Sequence, residues 1–140
     1  MTPPPSTAGY SGTPLARKLG IKAGATVALL DEPDDLRQLL TPVPDDVGFR
    51  TDLRARPDLV VAFFTRRSKL KARLPALTRA IHPDGGLWLA WPKKTSGVDT
   101  DLDGNGIREL GLAAGVVDIK VAAISEIWSG HRFAHRKANR

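Results

Sequence analysis

The sequence predicts an α/β three-layer sandwich: a mostly parallel sheet with an antiparallel pair of strands at its C-terminal edge. Three observations point there. The runs Thr26-Val-Ala-Leu-Leu30, Leu59-Val-Val-Ala-Phe-Phe64 and Leu87-Trp-Leu-Ala-Trp91 are apolar throughout rather than at alternate positions, as strands covered on both faces require. Between the second and third runs, Leu70, Leu74, Leu77 and Ile81 recur at spacings of four, three and four, which is one stripe of a helix. Downstream, Val116–Ala122 and Ile127–His135 alternate as half-covered strands do.

Each element has its own local signal. Thr13-Pro14 reads as an N-cap followed by proline at the first helical position, opening a short helix through Leu19 that Gly20 closes. Thr26–Leu30 is the first strand, and Asp34–Leu40 a second short helix. Val47–Leu53 is a weak strand candidate ending in the turn Arg54-Ala-Arg56-Pro57-Asp58. Proline inside a regular helix costs about 3 kcal/mol, so Pro75 predicts that Ser68–His82 is a short turn followed by a helix starting near Pro75. His82-Pro-Asp-Gly-Gly86 stops that helix and turns into the third apolar strand. Ile107, Leu110, Ala113 and Ala114 mark a helix ending at Gly115, before the two alternating strands.

Length and composition bound the rest. With 140 residues, 41% of them hydrophobic, the chain is expected to form one domain over residues 10–140. The proline-rich Met1–Gly9 is expected to be a disordered leader. The absence of cysteine excludes a disulfide scaffold, thiolate zinc and thiol catalysis. No apolar run approaches the roughly 18–20 residues that span a bilayer, so the expectation is a soluble, cytoplasmic protein. The net charge of +6 is the remainder of opposing blocks. Asp31–Asp58 carries eight acids and four bases, Thr65–Lys94 eight bases and one acid, Asp99–Glu126 six acids and two bases, and the last twelve residues four bases and no acid.

Asp58-Leu-Val-Val-Ala-Phe-Phe64, the helix after it, and His82-Pro-Asp-Gly-Gly-Leu-Trp-Leu-Ala-Trp91 together resemble the second half of Rossmann-like methyltransferases. The closing antiparallel pair fits that pattern too. The resemblance implies a methyltransferase-like scaffold, but the chain departs from it where the cofactor would sit. Those enzymes place a glycine-rich turn after the first strand, close to the methionine end of S-adenosylmethionine. Here the strand runs into Leu30-Asp-Glu-Pro-Asp-Asp35, whose carboxylates would repel the cofactor's own, so the scaffold is expected without its cofactor. The acid expected at the end of the second strand is offered only by Asp52. A second resemblance spans Gly9 to Arg140 through Gly9-Tyr-Ser-Gly-Thr-Pro-Leu15, Lys18-Leu-Gly-Ile-Lys22, Ala90-Trp-Pro-Lys-Lys94 with Ser96-Gly-Val, and Glu126-Ile-Trp-Ser-Gly130. These segments resemble a bacterial family known as a domain of unknown function, which implies no mechanism.

Open α/β sheets bind ligands beyond the carboxyl ends of their strands. Arg66-Arg67 follows the second apolar strand, and Trp91-Pro-Lys-Lys94 with Ser96 follows the third. Parallel neighbours would bring both basic pairs to one rim, where an anionic ligand or an acidic protein surface could bind. Asp31 and Glu32 are the acids expected to be able to neutralise it. Arg66, Arg67, Trp91, Lys93, Lys94 and Ser96 are therefore the candidate ligand-binding residues, with no catalytic residue, metal ligand or cofactor assigned.

Other motifs favour plain structural roles. Asp101-Leu-Asp-Gly-Asn-Gly106 resembles the first half of a calcium loop, but Arg108 and Leu112 stand where an aliphatic and a bidentate Glu are needed. The reading is a polar turn with Asp103 or Asp101 capping the next helix. Trp88 and Trp91 face opposite sides of a strand and read as core rather than as platforms for bases. His131 and His135 share one face and read as an exposed or titrating pair, since two histidines make a poor metal site. Ser11, Ser96 and Ser129 have no neighbouring His and Asp, and no G-x-S-x-G elbow is present. The first function predicted is thus a small binding or regulatory module, with a reduced Rossmann-like enzyme binding a nucleoside-containing cofactor as the alternative. Weak nucleic-acid binding through the basic patches is the third reading.

Overall fold

In the computed structural model, which describes residues 13–54, 56–81 and 83–136, the three apolar runs form the middle of a six-stranded sheet. The elements are α1 (Leu15–Leu19), β1 (Thr26–Leu30), α2 (Leu36–Leu40), β2 (Gly48–Arg50), β3 (Leu59–Phe63), α3 (Arg67–Ala80), β4 (Gly86–Pro92), α4 (Gly104–Ala113), β5 (Val116–Ala123) and β6 (Trp128–His135). The strand order is β2-β1-β3-β4-β6-β5. The pairs among β2, β1, β3 and β4 are parallel, whereas β6 runs antiparallel to both β4 and β5. This is the predicted mixed sheet. The leader Met1–Gly9, the Tyr10-Ser-Gly12 part of the first motif, His82 and the last four residues of the basic tail lie outside the described residues.

Strands apolar at every position need cover on both faces, and both are covered. On one face Leu70, Leu74 and Leu77 of α3 and Ile107 and Leu110 of α4 pack on Val60, Ala62, Leu87, Leu89 and Phe133. On the other, Ala16 and Leu19 of α1 and Leu36 and Leu40 of α2 pack on Val27, Leu29, Val61, Trp88 and Ala90. Trp88 and Trp91 fall into these two opposite cores, as expected from their spacing of three in a strand. Trp88 is fully buried, and its indole Nε1 donates to the Leu19 carbonyl at 2.9 Å.

Three local expectations are corrected. Pro75 does not divide the third helix, which runs unbroken through it. The leucine stripe continues across the proline, and the carbonyl of Lys71, left without its usual N–H partner, lies on an exposed turn where water can replace it. Pro14, not Thr13, occupies the N-cap of α1, its carbonyl accepting from Lys18 N. Gly20 closes that helix as predicted, at φ +85°. Of the histidine pair, expected to be exposed or titrating, His131 is not exposed. His131 is only 3% accessible, because α4 covers this face of β6, and neither ring nitrogen has a hydrogen-bond partner. Its ring stacks on Phe133 at 4.5 Å, and Nε2 lies 3.7 Å from Asp118, whose carboxylate accepts from Arg108 at 3.0 Å.

Burial holds the His131 imidazole below its ordinary pKa of 6.5; the Asp118 carboxylate opposes this shift and Arg108 adds to it. The unfolded chain therefore binds the proton more readily than the folded one, and stability rises with pH in that window. This contribution is complete above the unfolded pKa and is lost as pH falls through the folded one. Urea midpoints measured between about pH 7.5 and pH 5 should fall toward acid in the native protein and stay flatter in His131→Leu. Equal acid slopes in the two proteins would show that His131 is not responsible.

Candidate functional site

The strand order reverses between β1 and β3, since the chain builds outward through β2 on one side and through β4 on the other. Ligands of open α/β sheets sit beyond the carboxyl ends of strands at such a point. Here that edge carries Asp31 and Glu32 after β1, Asp52 beyond β2, Thr65 and Arg66 after β3, and Lys93 and Lys94 after β4. The parallel register Phe63↔Ala90 brings the two basic pairs to one edge, as expected from sequence.

The segment after β4 then folds back over the end of β3. Thr100 Oγ1 donates to the Thr65 carbonyl at 2.7 Å and accepts from Leu102 N. Asp99 pairs with the Arg66 guanidinium. Asp101 Oδ1 accepts from the Arg67 backbone N–H at 2.7 Å, so it caps α3 from across the sheet edge. Asp103 caps α4 through Gly106 N at 2.7 Å. Side-chain caps of this kind contribute about 1 kcal/mol each. The turn was expected to cap the next helix; it caps two helices and fastens them to one edge.

These acids correct the expected neutralisation of the rim. Asp99, not Asp31 or Glu32, meets Arg66, and this partner holds the guanidinium above its ordinary pKa. Glu32 instead lies 3.9 Å from Arg37, which stacks over the ring of Phe49. Of the six candidate residues, Lys93 and Lys94 line a cavity of about 390 Å3 with Pro92, Val98 and Thr100–Asp103. The Arg67 guanidinium lies beside Gly106 at the start of α4. Trp91 is buried in the core under α3 and α4, with Gly104 against its ring. The Ser96 hydroxyl is engaged within its own turn, donating to the Lys93 carbonyl and accepting from Val98 N. The two basic pairs thus stand at one edge of the sheet, with Lys93 and Lys94 alone on the cavity, while Trp91 is buried and Ser96 is taken up by its own turn. Sequence reasoning missed Asp99 and Thr100, whose only signal was a D-T-D run facing a basic block.

A second cavity, of about 320 Å3, opens at the opposite edge of the sheet among Gly20, Lys22–Ala25, Asp58, Asp84 and Arg132. Among the described residues, no group of three or more His, Asp or Glu side chains is placed to hold a metal ion. No helix among them is long and apolar enough to cross a membrane.

Comparison with known proteins places the fold. No family model and no curated protein matches the chain. Solved structures do. A SAM-dependent methyltransferase from Aquifex aeolicus superposes with a TM-score of 0.65 at 14% identity, over 85% of this chain and 86% of that one. DhpI, in its complex with SAH, gives 0.60 at 14% identity over 89% and 83%. The 1,6-didemethyltoxoflavin-N1-methyltransferase of Burkholderia thailandensis, bound to its 1,6-didemethyltoxoflavin and S-adenosylhomocysteine, gives 0.56 at 13% over 88% and 75%. The chain thus has the Rossmann-like fold of SAM-dependent methyltransferases.

The residues after β1 suit the ammonium of the amino-acid end of SAM but not its carboxylate. From Leu30 to Val47 the chain holds no glycine, and the turn itself presents Asp31, Glu32, Asp34 and Asp35. A carboxylate-rich turn repels a ligand carboxylate and accepts hydrogen bonds from hydroxyls.

Proposed function

We propose that the chain is a reduced methyltransferase-like enzyme that takes a nucleoside-containing ligand bearing phosphate rather than an amino-acid carboxylate. The observation that carries this reading is the whole-length likeness to SAM-dependent methyltransferases, reaching 86% of the Aquifex protein as well as 85% of this chain. That likeness supports an enzyme more than a free-standing binding module. The chemistry of the edge supports the ligand class: carboxylates after β1 suit ribose hydroxyls, and Lys93 and Lys94 on the 390 Å3 cavity suit a phosphate. The binding module with a basic rim is the second reading, supported by that same pair of lysines.

A thermal-shift series with ADP, adenosine, inorganic phosphate and SAH separates the readings. A ligand at a hundredfold excess over its Kd stabilises the fold by about 2.7 kcal/mol. ADP is expected to raise the melting temperature saturably and more than adenosine or phosphate alone, with the shift reduced in Lys93→Ala/Lys94→Ala. Phosphate matching ADP would favour the simple anion-binding module. A saturable shift with SAH alone would restore an ordinary methyltransferase cofactor, and no shift with any of the four would overturn both readings.

A further inference from the structure

At the amino edge of the sheet, the loops that precede the parallel strands meet. Lys22–Ala25 lead into β1, Asp58 immediately precedes β3, and Asp84 lies just before β4. Together with the Arg132 side chain of β6 they line the cavity of about 320 Å3, a size at the small end of the range of ligand pockets. Open α/β sheets ordinarily bind ligands at the carboxyl edge, where Lys93 and Lys94 stand, so this cavity is a separate place in the fold.

The sequence makes room in it for the Arg132 guanidinium. A Cβ on Gly20 would run into Arg132 Nη1, and one on Gly86 would stand 2.8 Å from Nε and 2.9 Å from Nη2. The positive φ of Gly20 calls for glycine on its own account, but Gly86 has no such φ. Within β4 its missing side chain answers to the close approach of the guanidinium. Of the five N–H donors of an arginine, one is engaged, by the Leu19 carbonyl at 3.4 Å. Among the described residues no carboxylate pairs with the group. It is half-buried, and burial lowers its pKa with no carboxylate raising it. A partly buried cation without a counter-charge is destabilising, and a carboxylate is the anion that its planar fork fits.

The rim carries the opposite charge and is fixed in place. Asp58 Oδ2 accepts from Thr26 N at 2.8 Å, the Asp58 N–H donates to the Thr26 carbonyl at 2.9 Å, and the Asp58 carbonyl accepts from Gly86 N at 3.0 Å. Asp58 Oδ1 holds no hydrogen bond among the described residues, and the side chain is exposed. Lys22 and Arg132 against Asp58 and Asp84 make the lining formally neutral. A simple anion would meet the acids and a simple cation the guanidinium, whereas a molecule bearing both charges complements both. We propose that this cavity binds a small zwitterion, an amino acid in the general sense, whose carboxylate pairs with the Arg132 guanidinium and whose ammonium meets Asp58.

Titration of the isotope-labelled full chain with free glycine, γ-aminobutyrate and ε-aminocaproate, followed by heteronuclear NMR, tests the assignment across three spacings of the two charges. At least one of them is expected to shift the amides of Lys22–Ala25 and Asp58 and the Arg132 side-chain N–H saturably, leaving those of Lys93 and Lys94 in place. Butyrate and butylamine, each lacking one charge, should bind about tenfold more weakly or worse, the scale of one lost charge-assisted contact. Arg132→Gln should lower affinity for the zwitterion by about tenfold or more. Asp58→Asn, on an exposed side chain, serves if Arg132→Gln does not fold, and should bring the affinity of the zwitterion down toward that of butyrate. Circular dichroism melts verify the fold of each variant. No localised shift with any of the three zwitterions, or an affinity unchanged in Asp58→Asn, would overturn the proposal. Butyrate binding as tightly as the best zwitterion would overturn the choice of ligand class.

Discussion

Trp88→Ala is expected to lower the free energy of unfolding by about 3–5 kcal/mol, the usual cost of emptying a tryptophan site in a packed core. Domains of this size are stable by roughly 5–15 kcal/mol, so the loss removes a large share of the total. The size of the effect follows from position. Trp88 is central in β4 between β3 and β6, pairing with Val61 on one side and Arg132 on the other. It is fully buried, and its ring meets three neighbours at once: Leu19 through the Nε1 bond, Gly130 beside it, and the Lys120 amine 6.0 Å above. Alanine leaves a cavity and removes the donor from the Leu19 carbonyl, which among the described residues keeps the 3.4 Å contact with Arg132. Trp88→Phe restores most of the volume without the donor, and should recover all but about 1–2 kcal/mol. Urea unfolding followed by far-UV circular dichroism reads both, with midpoints falling by roughly 1–3 M for alanine. A loss under about 1 kcal/mol for Trp88→Ala would contradict this packing.

The parts of the fold visible in the sequence are those where every position of a segment answers to one environment. β3 and β4 are buried at each residue, so their composition alone announces strands covered on both faces, and parallel pairing then places Phe64 and Trp91 at one edge. The rim follows from that step. Its acids do not. The path of the chain after β4 depends on the Thr100 hydroxyl meeting the Thr65 carbonyl and on Asp101 finding the α3 N-terminus, contacts across about 35 residues that no local spacing encodes. His131 illustrates the same limit on β6. Alternation assigns its face correctly, but only the docking of α4 decides whether that face is wet. Pro75 departs from the local rule for the opposite reason: the leucines on both sides of the proline share one core-facing stripe, and tertiary packing outweighs the local penalty.

Gly111→Ala should destabilise the protein by about 1–3 kcal/mol, although alanine is the better helix former by roughly 1 kcal/mol. Gly111 lies inside α4, facing β6, and a Cβ built there would stand 2.2 Å from Phe133 Cε1 and 2.5 Å from Cζ. Phe133 cannot swing away, because it is fully buried and stacked on His131. The helix would have to lift from the sheet, and α4 is held at its start by the Asp103 cap and along its length by the Arg108–Asp118 pair reaching to β5. An overpacked site between two constrained elements responds by strain rather than by rotamer adjustment. The compensating variant follows directly: Gly111→Ala with Phe133→Leu should be less destabilised than the sum of the single changes, a coupling of about 0.5–3 kcal/mol that a double-mutant cycle isolates. Additive losses, or a Gly111→Ala protein as stable as the native one, would mean that α4 is free to rise off β6. A gain in stability from Gly111→Ala would show helix propensity prevailing over this contact.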